Sequence, residues 1–419
     1  MPGTSTACCI AGGGPAGMML GLLLARQGVD VVVLEKHADF FRDFRGDTVH
    51  PSTLRILAEI GLAEAFLEVP HQEVVKLGVA TDDGNFAFAD FGRLPGAFRF
   101  IAFVPQWDFL TFLAEQARRD PGFELRMGTE ATGLIREDGA VRGVRYRTED
   151  GDVGEIRARL TVAADGRHST LRNATGLHSR EFGAPMDVLW FRLPKLPEDD
   201  GPSFGGLGKF TRGRMLVLLD RENYWQTAYL VPKGGFDALR AGGIEAFRAD
   251  LDRLLPGMKA AVAALADWSQ VSMLSVRLNR LARWHFPGLL LIGDAAHAMS
   301  PIGGVGINLA VQDAVAAARL LGPTFAGGGP GPAELARVRR RRLLPTVAIQ
   351  VLQRQIQQRF LARILAGDQP VPTPRLLRLL QRVPALQGVT ARVVGLGIRP
   401  EHAGPRKPVR QKAPEARTC

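Results

Sequence analysis

Cysteine is scarce: three residues in 419, at positions 8, 9 and 419. Cys8 and Cys9 are adjacent in an apolar run, and neighbouring strand side chains point to opposite faces, so the two are badly placed to pair. A disulfide framework is therefore excluded as an organising device, and a reducing cytoplasmic compartment is the expectation. No group of Cys and His has metal-ligand spacing, so no metal is expected. Eighteen uninterrupted apolar residues occur nowhere, which argues against a transmembrane helix. The apolar N-terminal stretch lacks a basic leader and is interrupted by glycines, so it reads as buried strand and helix rather than a signal peptide. No internal repeat is apparent.

Acidic residues are scarce at one end only. Residues 331–419 hold 18 Lys/Arg against 4 Asp/Glu, a balance of +14 within a whole-chain net charge of +11, which leaves the first 330 residues at −3. The basic segment includes the run Arg339-Arg340-Arg341-Arg342 and a tail from Arg406 to Arg417. It reads as a solvated helix face followed by a disordered tail, or as an attractor of an acidic lipid surface or anionic ligand. Peripheral membrane contact through it stays open. A nucleic-acid partner is not expected, because no groove-reading or base-stacking motif accompanies the charge. The oligomeric state is not legible.

What is present begins with Ala7-Cys8-Cys9-Ile10-Ala11-Gly12-Gly13-Gly14-Pro15-Ala16-Gly17, then a helical stretch, then Val31-Val32-Val33-Leu34-Glu35 and Lys36. This is a G-x-G-x-x-G loop inside a β-turn-α-β unit with an acid closing the second strand. Gly12 permits the tight turn, Gly14 admits a pyrophosphate to the backbone, and Gly17 allows close packing of helix on sheet. Pro15 and Ala16 open a helix whose free N–H groups favour phosphate. Glu35 is placed to accept hydrogen bonds from ribose hydroxyls. A dinucleotide site follows.

Buried strands of the same type recur at 160–164 and 289–293, the first ending at Asp165, the second at Gly293-Asp294. Between the buried strands of the whole set, from 7–11 to 289–293, segments 74–103, 188–193, 214–220 and 224–231 alternate as amphipathic antiparallel strands. Helices are expected at 51–66, 106–119, 244–255 and 306–321, and over 337–365 with a break at Pro345. The fold class is α/β: a Rossmann-like dinucleotide-binding domain with an inserted, mostly antiparallel β-sheet domain and C-terminal helices. The nucleotide domain is assembled from 1–73, 104–182 and 275–330, the inserted sheet domain from 74–103 and 183–274. Residues 331–400 form a helical region, and 401–419 are expected to be a disordered basic tail.

Three segments together resemble the group A, single-component FAD-dependent aromatic hydroxylases, with the para-hydroxybenzoate hydroxylase fold. They are the glycine loop with Glu35, the D-G-x-x-S-x-x-R run from Asp165 to Arg172, and Gly293-Asp294 followed by Pro301, Gly303-Gly304 and Gly306-Ile307-Asn308. The resemblance covers about residues 6–400. It implies FAD as cofactor, NADPH or NADH as a transient reductant, and O2 as co-substrate. It also implies hydroxylation of an electron-rich phenolic or polyketide-like aromatic through a flavin C4a-hydroperoxide. Asp294 would bind the ribityl chain, and the N–H groups of Gly306, Ile307 and Asn308, beyond Pro301 and Gly304, would meet negative charge on the reduced flavin. Asp165 either touches a ligand or braces its loop through Arg172. Arg45 resembles a mobile FAD-contacting arginine, and Gln106 stands where relatives contact the ribityl chain. His50 is a candidate acid or base, or else structural. Trp190, Arg192, Trp225 and Tyr229, with Arg214, are candidate substrate contacts, or core. Other chemistries remain open: a ubiquinone-pathway-type hydroxylase at a membrane surface, an isoprenoid reductase, or a non-catalytic FAD-binding protein.

Overall fold

The computed structural model describes residues 4–41, 48–202, 208–211, 213–221, 223–365, 367 and 373–404. An eight-stranded sheet carries parallel strands in the order Leu289–Leu291, Val153–Ala163, Thr4–Ala11, Val31–Leu34, Phe123–Arg126. Val31–Leu34, Leu289–Leu291 and the inner ends of Thr4–Ala11 and Val153–Ala163 are apolar and buried, as expected of a sheet covered on both faces, while Phe123–Arg126 at the edge is partly polar. The hairpin expected around Glu149 is present, from Ala140–Thr148 and Val153–Ala163, and its second strand runs on into the parallel sheet as one element.

Register decides where the chemistry sits. Ala11 stands opposite both Leu34 and Ala163, and Ala163 opposite Leu291. The glycine loop, Glu35, Asp165 and Asp294 therefore leave the sheet at one level on its carboxyl edge, the ligand-binding edge of open α/β sheets.

A second, seven-stranded sheet is built from Lys76–Thr81, Gly84–Asp90, Met186–Pro194, Gly208–Thr211, Arg214–Asp220, Tyr224–Pro232 and Ser272–Leu274. One face packs on the helices Ile244–Leu254 and Lys259–Ala263 through Leu189, Phe191, Tyr229, Phe247 and Leu251. The other packs on the C-terminal helices through Val188, Ala228, Leu230, Leu361 and Ile364.

Three expectations need correction. The helix Pro332–Ile356 runs unbroken through Pro345, and the irregularity falls later, as a π-turn at Gln357–Leu361. The arginine run is only in part a solvated face: Arg340 is exposed, but Arg342 is fully buried and Arg341 pairs with Glu401. Glu401 does not begin a tail; it is 2% exposed and bonded into the core. The remainder of the expected tail, 405–419, lies outside the described residues. Ile302–Gly327 is apolar enough to span a membrane by composition, yet 78% of its apolar window is buried inside the fold, as a core helix would be.

Candidate active site

Each glycine of the first loop has a distinct steric reason. Gly12 has φ +106°, and a Cβ there would lie 2.4 Å from the Ala164 carbonyl oxygen. A Cβ on Gly17 would lie 1.9 Å from the Gly12 oxygen, so helix and loop meet only through glycine. A Cβ on Gly14 meets nothing within 4 Å. Gly14 faces open space at the start of the helix Pro15–Ala25, which carries neither a side-chain cap nor an acid in its first turn. That is an anion cradle. Glu35 closes it from behind, its carboxylate accepting from Gly13 N–H (2.9 Å) and His37 N–H (3.1 Å). Lys36 is exposed.

The Asp165 motif ties the other strand ends together. Asp165 accepts from Ser169 Oγ (2.5 Å) and from Leu171 N–H (3.1 Å). Burial pushes its carboxyl up, against the pull of these donors. Arg172 donates to the carbonyls of Ala295 (3.2 Å) and Arg167 (2.7 Å), and Arg167 reaches Asp294 at 3.3 Å. Asp165 and Arg172 thus have the bracing geometry, while Asp294 stays partly exposed at the edge beside Arg167.

The third segment turns into the long helix Gly306–Leu321. Gly303 and Gly304 both have positive φ, and a Cβ on Gly304 would lie 2.4 Å from Thr48 Oγ1. Gly306 faces open space, and its helix has no side-chain cap and no acid in its first turn. Pro301 precedes the turn, and Ile307 is buried beneath it. The Asn308 side chain is structural: Oδ1 accepts from His50 N–H and Thr53 Oγ, and Nδ2 donates to the carbonyls of Thr48 and Gly304. Thr48 stands opposite Phe103, three residues before Gln106, so half-buried Gln106 opens its helix on the same side. Arg45 lies outside the described residues.

His50 is fully buried, its Nδ1 2.9 Å from the Val394 carbonyl and its Nε2 without a partner. Burial lowers its pKa to about 4, against the carbonyl's pull, so the ring is neutral.

The substrate candidates separate by sheet face. Trp190 is half-buried on the face toward the C-terminal helices, beside Val217 and Phe88. Tyr229 lies on the opposite face; its hydroxyl donates to Asp250 (3.0 Å), and Arg214 pairs with the same carboxylate. Trp225 packs on that back face too, under Lys195. Arg192 is exposed, stacked over Tyr224. Trp190 alone of the four stands near the flavin-type loop: Ile302, from that loop, joins the same apolar layer.

A sequence profile described as FAD binding domain matches residues 5–351. The 6-methylpretetramide 4-monooxygenase of Streptomyces rimosus is 35% identical over 320 residues, 75% of each chain. A 12-dehydrotetracycline 5-monooxygenase/anhydrotetracycline 6-monooxygenase of Streptomyces rimosus is 31% identical over 77% of this chain, though the match spans only 63% of that relative. In fold, the crystal structure of p-nitrophenol 4-monooxygenase PnpA from Pseudomonas putida superposes with TM-score 0.70 at 20% identity, covering 92% of this chain and 99% of PnpA.

The chain belongs to the group A FAD-dependent hydroxylases.

Its cofactor is FAD, and the residues present fit it. Two uncapped helix N-termini face open space at Gly14 and Gly306, and a carboxylate stands between them at Asp294. What the sequence reasoning missed in this hydroxylase is a buried charge network behind Asp294. Asp313 accepts from Gly293 N–H (3.1 Å), His297 Nε2 (2.5 Å) and Arg342 Nε (2.9 Å). Glu401 in turn binds Arg342, Arg341 and Arg319. Burial works to raise the Asp313 pKa, but His297 and Arg342 outweigh it and hold the group below the usual carboxylate range. The signal was available: a lone acid in the apolar helix Gly306–Leu321 cannot be buried unpaired.

Proposed function

We propose that this hydroxylase uses NADPH or NADH and O2 to hydroxylate a flat, phenolic aromatic of polyketide type. The observation that carries the reading is the unclosed apolar layer against the loop at 301–304. Trp190, Met215, Val217, Ile302 and Phe360 are all half-buried between a sheet and helices, where a closed core would bury them. The two Streptomyces rimosus relatives, named for pretetramide and tetracycline compounds, support the polyketide class.

Bound FAD would supply hydride acceptance and oxygen activation. The chain's part is to hold and orient. Gly12, Gly14, Pro15, Ala16 and Gly17 would seat the pyrophosphate, and Glu35, with Lys36 beside it, the adenosine ribose. Asp294 and Gln106 would meet the ribityl chain, and Asp165 acts through its loop. The N–H groups at Gly306, Ile307 and Asn308 would stabilise negative charge at the ring edge, and the apolar layer would exclude water from it. His50 holds Asn308 through its backbone N–H and keeps its neutral ring on the Val394 carbonyl, rather than moving a proton. Membrane contact has less support, since Arg319, Arg341 and Arg342 serve internal carboxylates.

Anaerobic mixing of the FAD-loaded protein with NADPH or NADH, with and without phenols and hydroxyanthraquinones, tests this. Substrate-accelerated bleaching, followed by a product bearing one 18O from 18O2, is expected. Bleaching without oxygen incorporation would favour a reductase, and no reaction with either nicotinamide a binding protein.

A further inference from the structure

Arginines outnumber their partners at the far end of the helix Gly306–Leu321. Arg319, Arg341 and Arg342 share Glu401, and Arg342 also pairs with Asp313. The Glu401 side chain is wholly buried, and both its oxygens are engaged. Three more guanidinium groups crowd beside this cluster. A cleft of about 310 Å³ is lined by Leu320, Arg337, Arg340, Arg341 and Arg399. Positions 337, 340 and 341 fall on one face of the helix Pro332–Ile356. Arg399 comes from the segment after the helix Ala385–Gly395, so two distant stretches of chain build one basic wall.

Arg337, Arg340 and Arg399 are exposed, and among the described residues none of their side chains has a carboxylate partner. Six guanidinium groups in this region thus meet two carboxylates, Glu401 and Asp313. Like charges held side by side repel, and an anion in the cleft relieves that repulsion. Guanidinium is well matched to phosphate, because its planar fork bonds two oxygens at once and it does not lose its proton. The cleft is separate from the flavin cradle. Leu320 lies fourteen residues beyond Gly306 on the same helix, about 21 Å at 1.5 Å per residue.

We propose that this cleft is a binding site for a phosphoryl anion, carried either by a small soluble molecule or by a lipid headgroup. Arg337, Arg340 and Arg399 bind the anion, and Arg341, anchored on Glu401, fixes the wall from which they reach. The site is independent of the aromatic-substrate reading above.

The test is titration calorimetry of the FAD-loaded enzyme with sodium pyrophosphate, in low-salt buffer free of phosphate. Bound FAD fills the cradle at Gly14, so that cradle does not compete. Wild type is expected to bind pyrophosphate, and added sodium chloride to weaken the binding. Arg340→Gln is expected to weaken it about tenfold, the contribution of a charge-assisted hydrogen bond, and Arg337→Gln added to it to weaken it further. Both side chains are exposed and unpaired, so the variants are expected to keep their FAD. Should either not fold, Arg399→Gln on the separate segment decides. Arg118→Gln with Arg142→Gln removes as much charge from exposed positions elsewhere and is expected to bind as wild type does. Co-sedimentation with vesicles of phosphatidylcholine, alone or with an equal part of phosphatidylglycerol, separates the two sources. Pyrophosphate binding lost in the cleft variants, with vesicle binding unchanged, assigns a soluble ligand. Vesicle binding lost in them, with no pyrophosphate bound by wild type, assigns a headgroup, and loss of both assigns the phosphoryl group they share. Neither probe bound by wild type, cleft variants that bind both probes as wild type does, or a control that weakens binding as much as the cleft variants overturns the site.

Discussion

Asp294 and His50 show how differently two polar residues at one site are held. Asp294 keeps about a quarter of its side chain open, with Arg167 at 3.3 Å. Asp294→Asn removes the charge but keeps the shape, and is expected to weaken FAD binding by tenfold or more, about 1.4 kcal/mol, measured by quenching of FAD fluorescence. His50 is sealed and neutral, with a folded pKa of about 4 against 6.5 in the unfolded chain. The unfolded state therefore binds the extra proton first as pH falls. Stability is full above about pH 6.5 and declines toward pH 4, by up to about 3 kcal/mol from this group. Urea denaturation across that range should show the decline, and His50→Leu should flatten it.

At the scale of elements, the glycine loop separates fold from function within three residues. Gly12 is demanded by the backbone, Gly14 only by what approaches it. Gly12→Ala is expected to destabilise the apoprotein by about 2 kcal/mol or more, from positive φ and the collision with Ala164. Gly14→Val should leave the apoprotein's urea midpoint nearly unchanged and yet abolish FAD retention, because its side chain fills the cradle. Equal loss of apoprotein stability in both variants would remove the distinction. The C-terminal helix teaches the opposite lesson. Pro345 suggested a break, but the helix is held along its length by Gln350 and Gln353 and by buried Arg342, and those contacts outweigh one missing backbone bond.

For the whole molecule, the buried charges fasten the far end of the chain to the strand end that carries Asp294. Arg342→Met would leave Asp313 and Glu401 short of their shared cation in the interior. A loss of about 3–5 kcal/mol is expected in urea denaturation. FAD affinity should fall in the same variant under conditions where it is folded, because Asp313 also holds Gly293 N–H. An Arg342→Met protein with wild-type FAD affinity would confine the network to stability. The arginine run shows why composition misled: charge counts see four cations, while only packing tells which of them has a carboxylate within reach.

Sequence alone determined the glycine loop, the two later strand ends and their order, because close backbone approach and helix N-termini impose residue types at fixed local spacings. It likewise determined that Asp165, Asp294 and Glu35 end apolar strands. Which of them is bonded into its own loop and which stays accessible at the sheet edge was decided only by the tertiary structure. So were the sheet face on which Trp190 and Tyr229 part company, the pairing of Arg342 with Asp313, and the cleft that gathers Arg337, Arg340 and Arg399. These depend on register and on contacts between residues tens to hundreds of positions apart, and no local pattern encodes the partner of a buried polar group.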